Sequence, residues 1–160
     1  GIANPDFLAL ASDEFLTSTI TNGRPGRRMP AWGEKDGGLR PDEIRTVVAY
    51  VRQLGGATAK AGPQPPRWVQ GDAALGQRLF AAACRGCHGG KGQGGEGPAL
   101  NNQVLLHNAT DTYLVETVSR GRRGTSMEGF LQPSTARRTL SRTEIEAIVA
   151  FLRRWEAKKS

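Results

Sequence analysis

At 160 residues the chain has room for one domain or two small ones, and 38% hydrophobic with 6% aromatic residues is a thin allowance for burying a core. Its formal charge of +7 divides into +1 over residues 1–66 and +6 over residues 67–160; basic charge alone could mean a nucleic-acid partner, but the lack of a recognition motif or aromatic–basic interleaving argues against one. No run of about 18 apolar residues exists, so no transmembrane segment is expected in this chain. The opening Gly1-Ile2-Ala3-Asn4 has neither the basic nor the apolar region of a secretory signal, which places any signal upstream of Gly1 or among removed residues.

Pro5 to Gly23 reads as a loop followed by a helix. Ser12 or Asp13 caps that helix, Phe15, Leu16 and Ile20 give it an apolar side, and Gly23 ends it. A loop rich in glycine and arginine then runs through the lone Met29 to Trp32. The next helix opens at Pro41, with Asp42 and Glu43 complementing its dipole. Its apolar positions Ile44, Val47, Val48, Val51 and Leu54 form a helical stripe, and Gly55-Gly56 stops it. The stretch after it holds Gly62-Pro63-Gln64-Pro65-Pro66 and reads as a proline-stiffened linker.

A helix starting at Asp72 puts Leu75, Leu79, Phe80 and Ala83 on one face and delivers Cys84-Arg85-Gly86-Cys87-His88. Cys-x-x-Cys-His is the attachment signature of c-type haem. Two thiols three residues apart lie on one side of a helical turn and reach both vinyl edges of a porphyrin. The histidine that follows is carried over the ring face as an iron ligand. A redox dithiol would want a βαβ context, and a structural zinc would want four ligands from a chain holding two cysteines and two histidines.

The loop Gly89 to Gly97 contains a formal G-x-G-x-x-G, but a haem helix precedes it and Pro98-Ala99-Leu100 follows, where a dinucleotide site needs a strand and then a helix. A P-loop fails because Gly90-Lys91 is followed by Gly92. The loop is expected to wrap a haem edge. Thr110 or Asp111 begins a further helix with Tyr113, Leu114 and Val118 apolar. After Gly121 comes a second basic loop, reaching Met127. Ser141 and Glu144 form a capping box for the last helix, whose face carries Ile145, Ile148, Val149, Leu152 and Trp155 ahead of a basic tail at Lys158 and Lys159.

The two halves repeat. A shift of 98 gives ten identities in 26 positions from Asn4 to Met29, among them Asp13 with Asp111, Arg24 with Arg122 and Met29 with Met127. After a three-residue insertion the shift becomes 101 and the five stripe positions of the two terminal helices coincide. His107 falls on Ala9, so the repeat gives it no ligand role and it reads as a surface residue. The first copy's Cys-x-x-Cys-His would fall before Gly1. On this pattern residues 1–55 are an incomplete unit, 56–68 a linker, and 69–157 a complete unit.

Gly76 and Phe80 on one helix, Cys84 to His88, Gly97-Pro98-Ala99-Leu100, the Met127 loop and a final helix with Phe151 together resemble a class I cytochrome c. Residues 1–55 resemble the later part of another, as in a dihaem or multihaem protein. The resemblance implies an all-α fold with Gly76 and Phe80 crossing Phe151. It also implies a Pro98 carbonyl that accepts a hydrogen bond from the proximal imidazole, fixing its tautomer. One departure is that Glu128 follows Met127 where a proline follows Met29.

The expected function is one-electron transfer between respiratory-chain partners. Haem c would be joined to Cys84 and Cys87, with His88 and Met127 as axial ligands, and Gly76, Phe80, Pro98, Leu100 and Arg122 as packing or propionate contacts. Met29 would ligate a second iron only if an upstream or neighbouring Cys-x-x-Cys-His supplies that haem. Arg120, Arg122 and Arg123 are candidates for propionate pairing or for a face that docks an acidic redox partner. The compartment expected is periplasmic or otherwise extracytoplasmic, with membrane association through a larger protein or complex. The alternative is a cytochrome subunit or domain of a dehydrogenase or peroxidase-type haem enzyme, the first half being a haem-free docking module.

Overall fold

The computed structural model describes residues 1–26, 28–56 and 65–158, so Arg27, residues 57–64 of the expected linker and Lys159 of the basic tail lie outside it. Among the described residues there are eight helices, three isolated β-bridges and no strand. The arrangement is all-α.

The first helix, α1 (Pro5–Leu10), occupies ground expected to be loop. Its cause is local. Asn4 accepts a hydrogen bond from Phe7 N, Pro5 sits in the first turn where no amide hydrogen is missed, and Leu8 is buried. Then α2 (Asp13–Asn22) starts with Ser12 capping Phe15 N, and Gly23 ends it at a positive φ of 61°. The methionine loop closes on itself through Arg24 N to Met29 O at 2.7 Å. The next helix, α3 (Pro41–Leu54), has Glu43 accepting from Arg40 N.

The second copy repeats this and adds a front end. Asp72 caps α4 (Ala73–Ala83), and the chain bends at Cys84 into the single turn α5 (Arg85–His88). Asn102 caps α6 (Gln103–Asn108) as Asn4 caps α1, and Thr110 caps α7 (Asp111–Arg120) as Ser12 caps α2. Gly121 has φ 69°, and Arg122 N donates to Met127 O at 2.7 Å. The capping box of Ser141 and Glu144 opens α8 (Arg142–Arg153). Trp32 N bonds Ile20 O and Leu39 N bonds Trp32 O; their counterparts are Phe130 N to Val118 O and Leu140 N to Phe130 O. The insertion therefore lies in the loop before Leu140.

An arginine in each closing helix locks its copy. Arg52 donates to Asp13 at 2.9 Å, to Ala11 O at 2.5 Å and to Leu8 O; Arg153 donates to Asp111 at 2.8 Å, to Ala109 O at 2.7 Å and to Leu106 O at 2.6 Å. Each guanidinium satisfies carbonyls at the end of the short helix (α1 or α6) and the carboxylate that begins the next. Sequence reading missed both. The signal was present, since Arg52 falls on Arg153 under the shift that aligns the stripes.

Where the copies differ is α4. It packs on α8 so closely that a Cβ on Gly76 would fall inside the Ala147 carbonyl. Phe80 meets Phe151 with ring centroids 5.6 Å apart and Trp155 at 5.3 Å. No described helix does this for α3. Its Val47, Tyr50 and Leu54 are 37%, 58% and 51% exposed, and these are the repeat positions of Ile148, Phe151 and Trp155. The stripe read from sequence is thus only half buried, through Ile44, Val48 and Val51. One continuous core still joins the copies, running from Leu8, Phe15 and Val51 to Tyr113, Phe80 and Ile148.

Candidate functional site

The turn α5 and the Cys84 that caps it carry the two cysteines and the histidine of the second copy. Cys87 is exposed, Cys84 is half-buried, and both are free thiols. Burial pushes the Cys84 thiol up to about 12, with Cys87 adding to the effect. An attacking dithiol needs the opposite shift, toward thiolate, so the pair is unlike a disulfide-exchange site. No three His, Cys, Asp or Glu side chains converge as a metal cluster among the described residues.

His88 is buried and held from two sides. Its Nδ1 lies 2.9 Å from Pro98 O, and a carbonyl can only accept, so Nδ1 carries the proton and Nε2 keeps the lone pair. Gly97 lies against the ring, where a Cβ would stand 2.7 Å from Cε1 and 2.8 Å from Nδ1. The glycine loop is drawn back over α5 by Gly94 N to His88 O (2.6 Å) and Gly97 N to Cys87 O (2.9 Å). Gly92, at φ 68°, backs onto the Trp155 ring and accepts from Leu100 N at 2.7 Å. Leu100 packs against the core.

Met127 is half-buried and also packs against the core, whereas Met29 does not join it. Thr117 Oγ1, on the helix before the Met127 loop, is buried without a hydrogen-bond partner among the described residues, and so is its counterpart Thr19 Oγ1. The donor set fits a haem c: paired thiols one turn apart, an imidazole presenting Nε2, and a thioether on a separate loop.

The arginine that ends α7 and the two that follow in the second methionine loop are engaged within the protein. Arg120 pairs with Glu116 at 2.7 Å and Arg123 with Asp6 at 2.8 Å. Arg122 donates to Tyr113 Oη at 2.5 Å and lies 5.0 Å over the Phe7 ring. Arg24, its counterpart, has its pKa lowered chiefly by burial, with Tyr113 opposing and Arg122 adding to the decrease. Sequence reading missed Asp6 and Phe7, because it took their segment for a loop. His107, expected at the surface, is half-buried, with Nε2 2.9 Å from Ala157 O.

No described helix is long and apolar enough to cross a membrane. The family model described as "Cytochrome C oxidase, cbb3-type, subunit III" matches residues 71–152. The cbb3-type cytochrome c oxidase subunit FixP of Bradyrhizobium diazoefficiens is 40% identical over 113 residues, which are 68% of this chain and 36% of that protein. Subunit CcoP of Rubrivivax gelatinosus is 37% identical over 154 residues, 94% of this chain and 44% of that protein. The chain thus spans less than half the length of these relatives. Among solved structures, cytochrome cL of Methylophaga aminisulfidivorans is 34% identical over 51% of this chain and 53% of its own, with a TM-score of 0.43. The chain belongs to the family of cbb3-type cytochrome c oxidase subunit III, and it is a c-type cytochrome, an electron carrier built on covalent haem c.

Proposed function

We propose that residues 69–157 form a His/Met-ligated haem c domain that passes single electrons within a respiratory oxidase assembly. Cys84 and Cys87 form the thioethers, His88 Nε2 is one axial ligand and Met127 the other. Gly76, Phe80, Pro98 and Leu100 pack the site, and Arg122 serves its propionate side. Haem c bound there supplies a one-electron Fe(III)/Fe(II) couple, and methionine opposite histidine raises its potential. The observation that carries the reading is the Nδ1 hydrogen bond to Pro98 O, which leaves Nε2 as the ligating nitrogen.

The compartment is periplasmic or otherwise extracytoplasmic, with the membrane reached through a larger protein or complex. The redox partner is acidic where it docks. Arg85 and Lys91, exposed beside Cys87 and without an ion pair among the described residues, support that polarity better than the engaged Arg120 and Arg123.

Residues 1–55 are the later part of a second cytochrome unit, with Met29 the ligand of a second iron if an upstream or neighbouring Cys-x-x-Cys-His supplies that haem. The open α3 face supports this, because its counterpart on α8 is the seat of the helix that carries Cys-x-x-Cys-His. By the repeat spacing such a motif, if on this chain, would fall roughly 15 residues before the position of Gly1.

The test is intact mass and absorption of the holoprotein. One haem adduct is expected on Cys84 and Cys87, with a far-red methionine–iron band in the oxidised state that Met127→Ala abolishes. No adduct, or a band indifferent to Met127→Ala, overturns the assignment. A whole reading frame without a second motif, in a protein that binds one haem in its native complex, overturns the dihaem part.

A further inference from the structure

The two copies meet about a pseudo-two-fold axis. Asn4 Nδ2 donates to Arg123 O at 2.9 Å, and Asn102 Nδ2 donates to Pro25 O at 3.3 Å. Asn4 and Asn102 are repeat-equivalent, and so are Pro25 and Arg123. Likewise α1 packs on α7 while α6, its equivalent, packs on α2. Phe15 and Tyr113, again equivalent, stack on each other at 5.0 Å. Reciprocity of this kind is the mark of an isologous interface, here between two halves of one chain. Its consequence is specific: the residue capping the short helix of each copy also holds the methionine loop of the other.

The two holds are unequal. On Met29's side the described side-chain contact is the long Asn102 bond. Val104, which stands where the first copy has Asp6, has no side chain that can accept from that loop, and Gln103 beside it is turned to Asn101 O and Trp155 O. On Met127's side there are three further holds. Asp6 accepts from Arg123 N at 2.8 Å, it also pairs with the Arg123 guanidinium at 2.8 Å, and the Arg122 guanidinium lies over Phe7 while it donates to Tyr113 Oη. Arg122 N is bonded to Met127 O, so the residues held are the first half of the turn that presents Met127.

We propose that Asn4, Asp6 and Phe7 of the first half are positioning residues for the sixth iron ligand of the second half. They latch the Met127 loop and fix the Arg122 and Arg123 charges beside it. The inference rests on Met127 being that ligand. A latched thioether stays on the iron and favours Fe(II), and the Arg122 cation held beside it over Phe7 does the same, because the oxidised site carries one more positive charge. Releasing the latch lowers the potential by loosening the thioether and freeing Arg122, against the smaller, solvent-screened rise that loss of the Asp6 carboxylate itself brings, and it opens the iron to added ligands.

The test uses the haem-loaded holoprotein with Asp6→Asn and Phe7→Ala, read by potentiometry, the far-red band of the oxidised state and displacement of the methionine by added imidazole. The expected result is a lower midpoint potential, equivalent to about a tenfold change in the reduction equilibrium, or ~59 mV for one electron. Imidazole capture should also be about tenfold faster in the double variant, with Asp6→Glu and Phe7→Tyr restoring both readouts. Asp6 and Phe7 are not wholly buried, and unchanged helix content with an unchanged haem stoichiometry separates release of the loop from misfolding. A wild-type band that Asp6→Asn and Phe7→Ala leave unmoved, with unmoved potential, overturns this inference alone. A wild type without the band overturns the Met127 reading and the inference with it.

Discussion

The first and second copies share their caps, methionine loops and arginine clamps, and differ in whether a helix covers the closing one. On α8 the positions Ile148, Phe151 and Trp155 are covered by α4, and on α3 the same positions hold Val47, Tyr50 and Leu54 against solvent. The clamps divide along the same line. Asp111 is buried and accepts from Trp68 N at 2.6 Å and Val69 N at 2.8 Å, both residues of the lead-in to α4, while Asp13 stays one-third exposed. What the two have in common is therefore the part of the unit that folds from local caps and one arginine. What distinguishes them is everything that depends on the haem-bearing helix.

The comparison breaks most clearly at the arginines. Arg153 is desolvated, which together with nearby Arg67 pulls its pKa below the usual value, against the opposing pull of Asp111. Arg153→Met would leave the buried Asp111 carboxylate without its cation and leave Leu106 O and Ala109 O with Arg67 as their remaining arginine donor. A loss of about 3–5 kcal/mol is expected. Arg52→Met takes the arginine donor from the equivalent Leu8 and Ala11 carbonyls, but Asp13 is one-third exposed to water, and a loss of about 1–2 kcal/mol is expected. Denaturant unfolding of the two holoproteins checks this; equal losses would mean that the lead-in to α4 adds nothing to the clamp.

The closing helices sharpen it next. Phe151→Ala removes a ring lying against both Phe80 and Trp155, at 5.6 Å and 4.9 Å between centroids, and should cost about 2–3 kcal/mol. Tyr50→Ser, at the equivalent place on α3, should stay within about 0.5 kcal/mol, as surface changes do. Thermal melts of residues 1–160 test the pair. A large effect of Tyr50→Ser on this chain would show that the α3 face is already covered in solution.

Much of this was legible in the sequence. The haem motif, the repeat and most helix starts rest on local chemistry: paired thiols one turn apart, Ser or Thr ahead of an apolar stripe, glycine where φ turns positive. The Arg52 and Arg153 clamps were not, because arginine in a last helical turn also reads as a solvated complement to the helix dipole. Only the coincidence of arginine and aspartate under two different shifts marks them. The short α1 was misjudged because its six residues make fewer than two turns, too few for an apolar stripe to repeat, although Asn4 and Pro5 announce its start. The pseudo-axis was out of reach, since a repeat says that a unit occurs twice and not by what rotation. That is also why Arg120, Arg122 and Arg123 looked like a docking face: Asp6 and Phe7 come to two of them only through the packing of the copies.

The smallest expected effect probes that packing through pH. The Arg123 hydrogen bonds hold the Asp6 carboxyl below its ordinary value of 3.8, with the Arg123 and Arg120 charges assisting and desolvation opposing. A carboxyl with a lowered folded pKa contributes stability that is full above its unfolded pKa and drains away as pH falls through the folded one. The difference in Tm between wild type and Asp6→Asn should therefore be constant well above the ordinary carboxyl value of 3.8 and vanish once pH falls below the lowered folded one. It should be small throughout, because Arg123 is 80% exposed and exposed pairs are weak. Added salt should shrink it further, since water and ions screen so open a pair. A difference that persists at the acid end would mean that Asp6 acts through shape rather than charge. The latch on the Met127 loop would then rest on Asn4 and Phe7, and the first half's grip on the second would be insensitive to pH.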